Sequence, residues 1–451
     1  MKSVAGALLI SVSMMFVAGC SSSSHPSGGT TPPPPAGLTF SAGATFEFVQ
    51  EFGTNTYDAT TNQGDTITAI SQDSNDNIYV AGYTAGNLPG YSGQVGILKG
   101  MVFERDPAGN AVWGRELTTG AGDTLDGMVN IGGKMDVAGT TFGAYPGASN
   151  PSGISQVFLA QFDAAGDLDW LHQYPSSAAM TIAQLSSDKT GNLIVAGEIA
   201  GGGGSQNLYV EKFDPNGNVL WTVTYGSAAQ DVMSGVTADT NGDIYAIGFT
   251  SGAYPGSQSG SPSMPFVLKL NGTNGANIWV QQSNSNPTLS GFAPSAITAT
   301  ADGQLYLEGQ TGTYGMNAQI EAVKMSAASG TVTWNYPFGA GTSNVPGQGI
   351  VADSSDNLYV AGLSGGALVS GVTAGVDDVF LAKLSSTGTA IWAQQIGTGM
   401  ELPRMSATVS TPIYLNLGSE GVALGGMTYG QFPGFSNPNQ YAELYVARFG
   451  P

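Results

Sequence analysis

From Thr45 onward the chain alternates short apolar runs with turns rich in Gly, Asn, Asp and Ser. The clearest unit runs from Gln348 to Gly397: G-I-V-A-D, the turn S-S-D-N, L-Y-V-A-G-L-S, a variable loop, D-V-F-L-A-K-L, the turn S-S-T-G and A-I-W-A-Q-Q-I-G. These runs are too short for helices and rich in Val, Ile, Tyr and Phe, which predicts four strands joined by hairpins. The second of them recurs seven times, as Ile78–Gly82, Met135–Gly139, Leu193–Gly197, Ile244–Gly248, Leu305–Gly309, Leu358–Gly362 and Val422–Gly426. Both of its faces are apolar or small, as a sheet sandwiched between two neighbours requires. Its closing glycine suits a close backbone approach, expected here from an adjacent sheet.

The fourth run carries a tryptophan, and all six tryptophans fall at that phase: 113, 170, 221, 279, 334 and 392. With Phe48 as a substitute, the seven marks are separated by 65, 57, 51, 58, 55 and 58 residues. A period in the fifties accommodates a four-stranded unit. The last unit stops after Glu443–Phe449 without a fourth run, and Thr45–Gly53 is a fourth run with no predecessors. Pairing the two closes a ring and removes both open sheet edges. The expected fold is therefore all-β: a seven-bladed propeller of four-stranded antiparallel blades over residues 44–451, in which the N-terminal strand completes the C-terminal blade.

The combination D-x-x-G-N-x-Y-V-A-G followed by F-L-A-K-F-D-x-x-G-x-x-x-W resembles the bacterial SBBP beta-propeller repeat, found in secreted and lipid-anchored surface proteins. The resemblance covers nearly everything from residue 45. Blade 2 departs from its turn consensus at Ile131–Lys134, and blade 7 lacks the Asp-Asn turn. The repeated residues are those that pack blades, so the likeness implies the fold and leaves activity open.

Composition adds an address. Residues 1–19 read as a signal peptide, with Lys2 and an apolar segment from Val4 to Ala18, ending at V-A-G-C. That ending resembles the lipobox of bacterial lipoproteins, which implies cleavage before Cys20 and its acylation. Cys20 is the single cysteine, so the exported domain carries no internal disulfide. Ser21 implies the outer membrane under the enterobacterial sorting rule. Residues 20–43, Ser-, Gly- and Pro-rich and including His25, read as a spacer holding the domain off the membrane. With 12 basic against 32 acidic residues the net charge is −20, which disfavours nucleic-acid binding.

Candidate chemistry is sparse. The D-x-x-G-N turns, such as Asp188–Asn192, are too short for calcium loops and read as hairpins. The loop after the second strand repeats aromatic-Pro-Gly, placing Tyr145, Tyr254 and Phe432, with Tyr91 as a variant, at a rim where they either grip a ligand or plug gaps between blades. Glu308 replaces a small residue on a second strand, predicting a water-facing or locally paired carboxylate. Glu198 follows the corresponding glycine in blade 3. His172 is the single histidine of the domain, which leaves a His-dependent triad or a His/Cys metal site without support. The Asp-Gly-Trp spacing resembles the tryptophan-docking motif of quinoprotein dehydrogenases, but those have eight blades and basic cofactor ligands; no cofactor is expected. The expectation is a monomeric, non-enzymatic, lipid-anchored binding module for a protein or glycan. An envelope-assembly scaffold and a two-carboxylate glycan-processing enzyme are the alternatives.

Overall fold

The computed structural model describes residues 46–52, 65–88, 90–92, 95–201, 205–227, 229–252, 264–283, 286–312, 319–338, 345–364, 378–396, 413–419, 421–428 and 443–450. Those residues form seven four-stranded antiparallel sheets and one turn of 3-10 helix, Pro287–Leu289. Six blades follow the chain without interruption, at residues 66–117, 123–173, 180–225, 231–282, 292–338 and 345–396. The seventh takes Tyr414–Leu417, Val422–Thr428 and Glu443–Phe449, and receives its outermost strand, Phe46–Phe52, from the other end of the chain. The register runs from Phe46 opposite Phe449 to Phe52 opposite Leu444. The expected closure is thus the observed one.

Counting strands outward from the axis, the first strand of each blade touches the first strands of both neighbours, and blade 7 touches blade 1. The wheel is closed. Its apolar interior is divided into seven clusters among the described residues, one at each interface between neighbouring blades. Each depends on the second and third strands being apolar on both faces. In blade 2, for example, Gln156–Phe162 is buried at every position. Burial of each large side chain, such as Tyr209, Phe266 or Phe380, contributes roughly 1.5–3 kcal/mol. The fourth strands form the rim and leave Val112, Leu168, Leu220, Ile278 and Ile391 exposed.

The tryptophans lock adjacent blades together. Trp113, Trp170, Trp221, Trp279 and Trp334 each lie against a glycine in the turn between third and fourth strands of the next blade: Gly166, Gly217, Gly275, Gly330 and Gly388. Those glycines all have positive φ, and a Cβ on Gly275 would come within 2.9 Å of the Trp221 ring. The indole N–H of Trp221 donates to Gly272 O at 3.2 Å, and that of Trp334 to Ser386 O at 3.2 Å. The same two carbonyls accept from Lys212 and Lys324 on the third strands.

In blades 1 to 5 the glycine that closes the second strand has a different cause from the one expected. A Cβ there would meet the carbonyl oxygen of the first strand of its own blade, not the neighbouring blade: Gly82 against Thr66 O at 1.9 Å, Gly139 against Thr124 O at 2.0 Å and Gly197 against Thr181 O at 1.9 Å. Opposite this glycine the first strand of blades 1 to 6 carries a β-bulge, between Ile67 and Ala69, Leu125 and Gly127, and Ile182 and Gln184, with counterparts in blades 4, 5 and 6. The extra residue bends the first strand against its partner, and only glycine leaves room.

Candidate functional site

The bulges build the site. In blades 1 to 5 the residue inserted is Thr68, Asp126, Ala183, Ser234 or Ser295, and all five line one cavity of about 90 Å³ on the axis of the wheel. Tyr414 of blade 7 lines it as well. Asp126 is the one charged residue among those lining it. Its carboxylate accepts from Thr124 Oγ1 at 2.9 Å and from Thr140 Oγ1 at 3.4 Å, both on Oδ2. Although partly reachable from the channel, Asp126 is enclosed by protein, and that loss of hydration pushes its pKa up to about 7 against the pull of those hydroxyls and of the Thr140 backbone N–H.

Around it stand groups that add no positive charge. Burial raises the phenols of Tyr83, Tyr209 and Tyr414, each raised further by the Asp126 carboxylate, so all three stay neutral at physiological pH. Glu198 also acts on Tyr209. Burial raises Glu198, opposed by hydrogen bonds from the Thr181 hydroxyl and from Met233 N at 2.8 Å. Tyr83, Thr140 and Glu198 pair with Thr66, Thr124 and Thr181 at the ends of the second strands that lead into the second-to-third loops. The channel carboxylates and the aromatic-bearing loops therefore share one face of the wheel.

On that face Tyr91 is 38% exposed. Tyr145 is buried, its ring 4.9 Å from that of Phe158, and so fills a gap between blades instead of projecting from the rim. Tyr254 and Phe432 lie outside the described residues, as does Cys20. Glu308 is fully buried rather than water-facing, opposite Ala296 and Ala322, and its backbone carbonyl accepts from Ser295 Oγ at 3.1 Å. His172 is exposed on the rim strand of blade 2, stacked on Trp170 at 5.1 Å. The Asp turns are hairpins whose aspartates are filled by their own loop. Asp188 Oδ1 accepts from Thr190 N and Asn192 N, and its Oδ2 accepts from Asn192 Nδ2 at 2.9 Å and Lys212 Nζ at 2.8 Å. Among the described residues no cluster of three or more His, Cys, Asp or Glu could hold a metal ion.

Asp126 escaped sequence reasoning because nothing in its own strand marks it. The available signal was positional: where blades 1, 3, 4 and 5 carry Thr, Ala or Ser one residue before the small or polar position of the first strand, blade 2 carries a charge.

Residues 47–89 match the family model described as the SBBP beta-propeller repeat. The chain is a β-propeller that carries an SBBP-type repeat. The regulatory protein FlaEY of Caulobacter vibrioides is 24% identical to it over 247 residues, 50% of this propeller chain and 24% of FlaEY. This propeller chain thus spans about a quarter of that relative. Among solved structures, the beta-propeller domain of the trilobed protease from Pyrococcus furiosus is similar at a TM-score of 0.46 and 10% identity, covering 85% of this chain and 95% of that one. Sqt1 from Chaetomium thermophilum is similar at 0.45 and 10%, covering 87% of each chain.

Proposed function

We propose that this chain is a binding module of the bacterial cell envelope, acylated at Cys20, held off the membrane by residues 20–43 and engaging a protein or glycan through the loop-bearing face of its wheel. The supporting observation is the coincidence on that face of exposed Tyr91, the channel carboxylate Asp126 and the nearby Glu198, on a ring whose closure holds their relative positions. Five of the twelve basic side chains are consumed internally: Lys99, Lys212, Lys269, Lys383 and Arg448 pair with Glu116, Asp188, Asp243, Asp353 and Glu47. The surface is therefore acidic, which supports a neutral or cationic partner over nucleic acid. Action by binding rather than catalysis fits a chain similar to part of a protein named as regulatory.

The test is a pull-down and glycan array with the full chain in mild non-ionic detergent, together with metabolic labelling by a fatty-acid analogue. A saturable partner whose capture falls at least tenfold in Tyr91→Ala supports the reading. Capture indifferent to every change on this face sinks it, and label retained in Cys20→Ala removes the anchor.

A further inference from the structure

We propose that the axial channel is a pocket for an alkylammonium group, such as the tip of a lysine side chain or a small primary amine, with Asp126 as its counter-charge. This rests on the binding-module reading and names the chemistry that its channel selects.

The lining hydroxyls carry the inference. Thr68 Oγ1 donates its proton to Leu125 O at 2.6 Å, and Ser295 Oγ donates to Glu308 O at 3.1 Å. A hydroxyl whose hydrogen is committed to a carbonyl keeps acceptor capacity and offers no donor. Gln184 differs, because its Oε1 accepts from Val236 N at 2.7 Å and its amide N–H groups remain donors. Asp126 accepts from the Thr124 and Thr140 hydroxyls on Oδ2 and from the Thr140 backbone N–H, and its carboxylate keeps lone pairs for a further donor. Thr68, Ser295 and Asp126 thus set acceptors around a single negative charge. An ammonium carries three donors, no acceptor and the opposite charge.

Size and field agree with that chemistry. About 90 Å³ of space reachable by a water-sized sphere holds on the order of half a dozen waters or one small head group. The charged and titratable groups facing Asp126 are the phenols of Tyr83 from blade 1, Tyr209 from blade 3 and Tyr414 from blade 7, all neutral, with Glu198 acting across Tyr209. No basic side chain among the described residues contributes to its titration. The net charge of −20 concentrates cations at the mouth before any reaches the channel.

Calorimetric titration of the full chain in non-ionic detergent with n-butylammonium chloride, at constant ionic strength set by sodium chloride, tests this at pH 5.0 and 8.5. The expected result is one saturable site at pH 8.5, weakened at least tenfold at pH 5.0, where Asp126 is protonated. Asp126→Asn should abolish the pH dependence. Ala183→Leu, which fills the channel without altering its charge, should abolish binding while the thermal unfolding midpoint stays within a few degrees. Binding unchanged in both variants, no saturable site at pH 8.5, or a site taken by sodium or calcium and indifferent to butylammonium overturns the proposal. If the pull-down succeeds and this titration fails, the binding face stands and the channel chemistry alone is wrong.

Discussion

Asp126 and Asp188 are aspartates of the same repeat with titrations displaced in opposite directions, and what surrounds each explains why. Burial would raise both. At Asp188 it is outweighed by hydrogen bonds from Lys212, Thr190 and Asn192, which hold the carboxyl below its usual range. At Asp126 two threonine hydroxyls and the Thr140 backbone N–H are too weak to compensate, and the pKa is pushed up to about 7. The linkage signs follow. Asp188 contributes stability that is present above its unfolded pKa of about 4 and is lost as pH falls below it. Asp126 binds its proton more tightly folded than unfolded, so the wheel loses stability as pH rises from about 4 through 7, by up to about 4 kcal/mol. Asp126→Asn is therefore expected to raise the unfolding midpoint at pH 8 and leave it nearly unchanged at pH 4. Asp188→Ala should lower the midpoint at pH 8, the loss of stability being the roughly 3–5 kcal/mol typical of a buried pair that loses one partner, because Lys212 remains buried. Thermal melts across pH 4 to 8 check both, and parallel shifts of the two variants would contradict the assignment. Asp188 was legible as a turn residue from its spacing to Asn192. Asp126 was not, since its environment is assembled from blades 1, 2, 3 and 7, and no local pattern records that meeting.

At the level of strands, legibility follows from what each position must satisfy. Every second strand recognised by its L-Y-V-A-G pattern lies within an observed strand, as with Leu193–Gly197 inside Leu193–Ala200, because burial on both faces tolerates few side chains. The first strands were seen as apolar runs but not as bulged, since a bulge is a property of pairing and only its glycine partner is written in the neighbouring strand. The tryptophan period was visible, whereas its receptor was not: Gly275 lies 54 residues after Trp221, in the next blade's turn. That docking is open to a matched comparison within blade 4. Gly275 has φ +71 and a Cβ there would meet Val223 at 2.6 Å and Trp221 at 2.9 Å, while Gly242 has φ +85 and open space around it. Alanine at either position carries the left-handed backbone cost of about 1–2 kcal/mol. Only at Gly275 is overpacking added, typically 1–3 kcal/mol more. The expected order of unfolding midpoints is wild type, Gly242→Ala, then Gly275→Ala, and equal midpoints for the two variants would show that the indole is not a fixed wall.

For the whole molecule, closure makes seven weakly coupled sheets behave as one body. A linear array would leave the inner faces of its end blades bare and two sheet edges unpaired. Here the strand Phe46–Phe52 supplies the missing edge, and Arg448 reinforces the seam. Its Nε lies 2.9 Å from Glu47 Oε2 on the closing strand, and its Nη1 donates to Pro107 O of blade 1 at 3.2 Å. Arg448 is only 2% exposed, so its charge depends on those partners, whereas Glu47, at the surface, can be hydrated if they are lost. Ser419 Oγ adds a bond from blade 7 to Asp76 of blade 1 at 2.5 Å. A chain lacking residues 38–53 should therefore retain blades 1 to 6 in sequence but expose the edge of Glu443–Phe449, which pairs readily with a second copy. The expected outcome is a concentration-dependent dimer or larger species in sedimentation velocity, with a lowered unfolding midpoint. A synthetic peptide of residues 44–54 added in trans should return the monomer, and the same peptide with Glu47→Lys should do so less well, because it sets a second positive charge against buried Arg448. A truncated chain that stays monomeric with an unchanged midpoint would mean that the wheel is held by its seven apolar interfaces alone and that the seam is incidental.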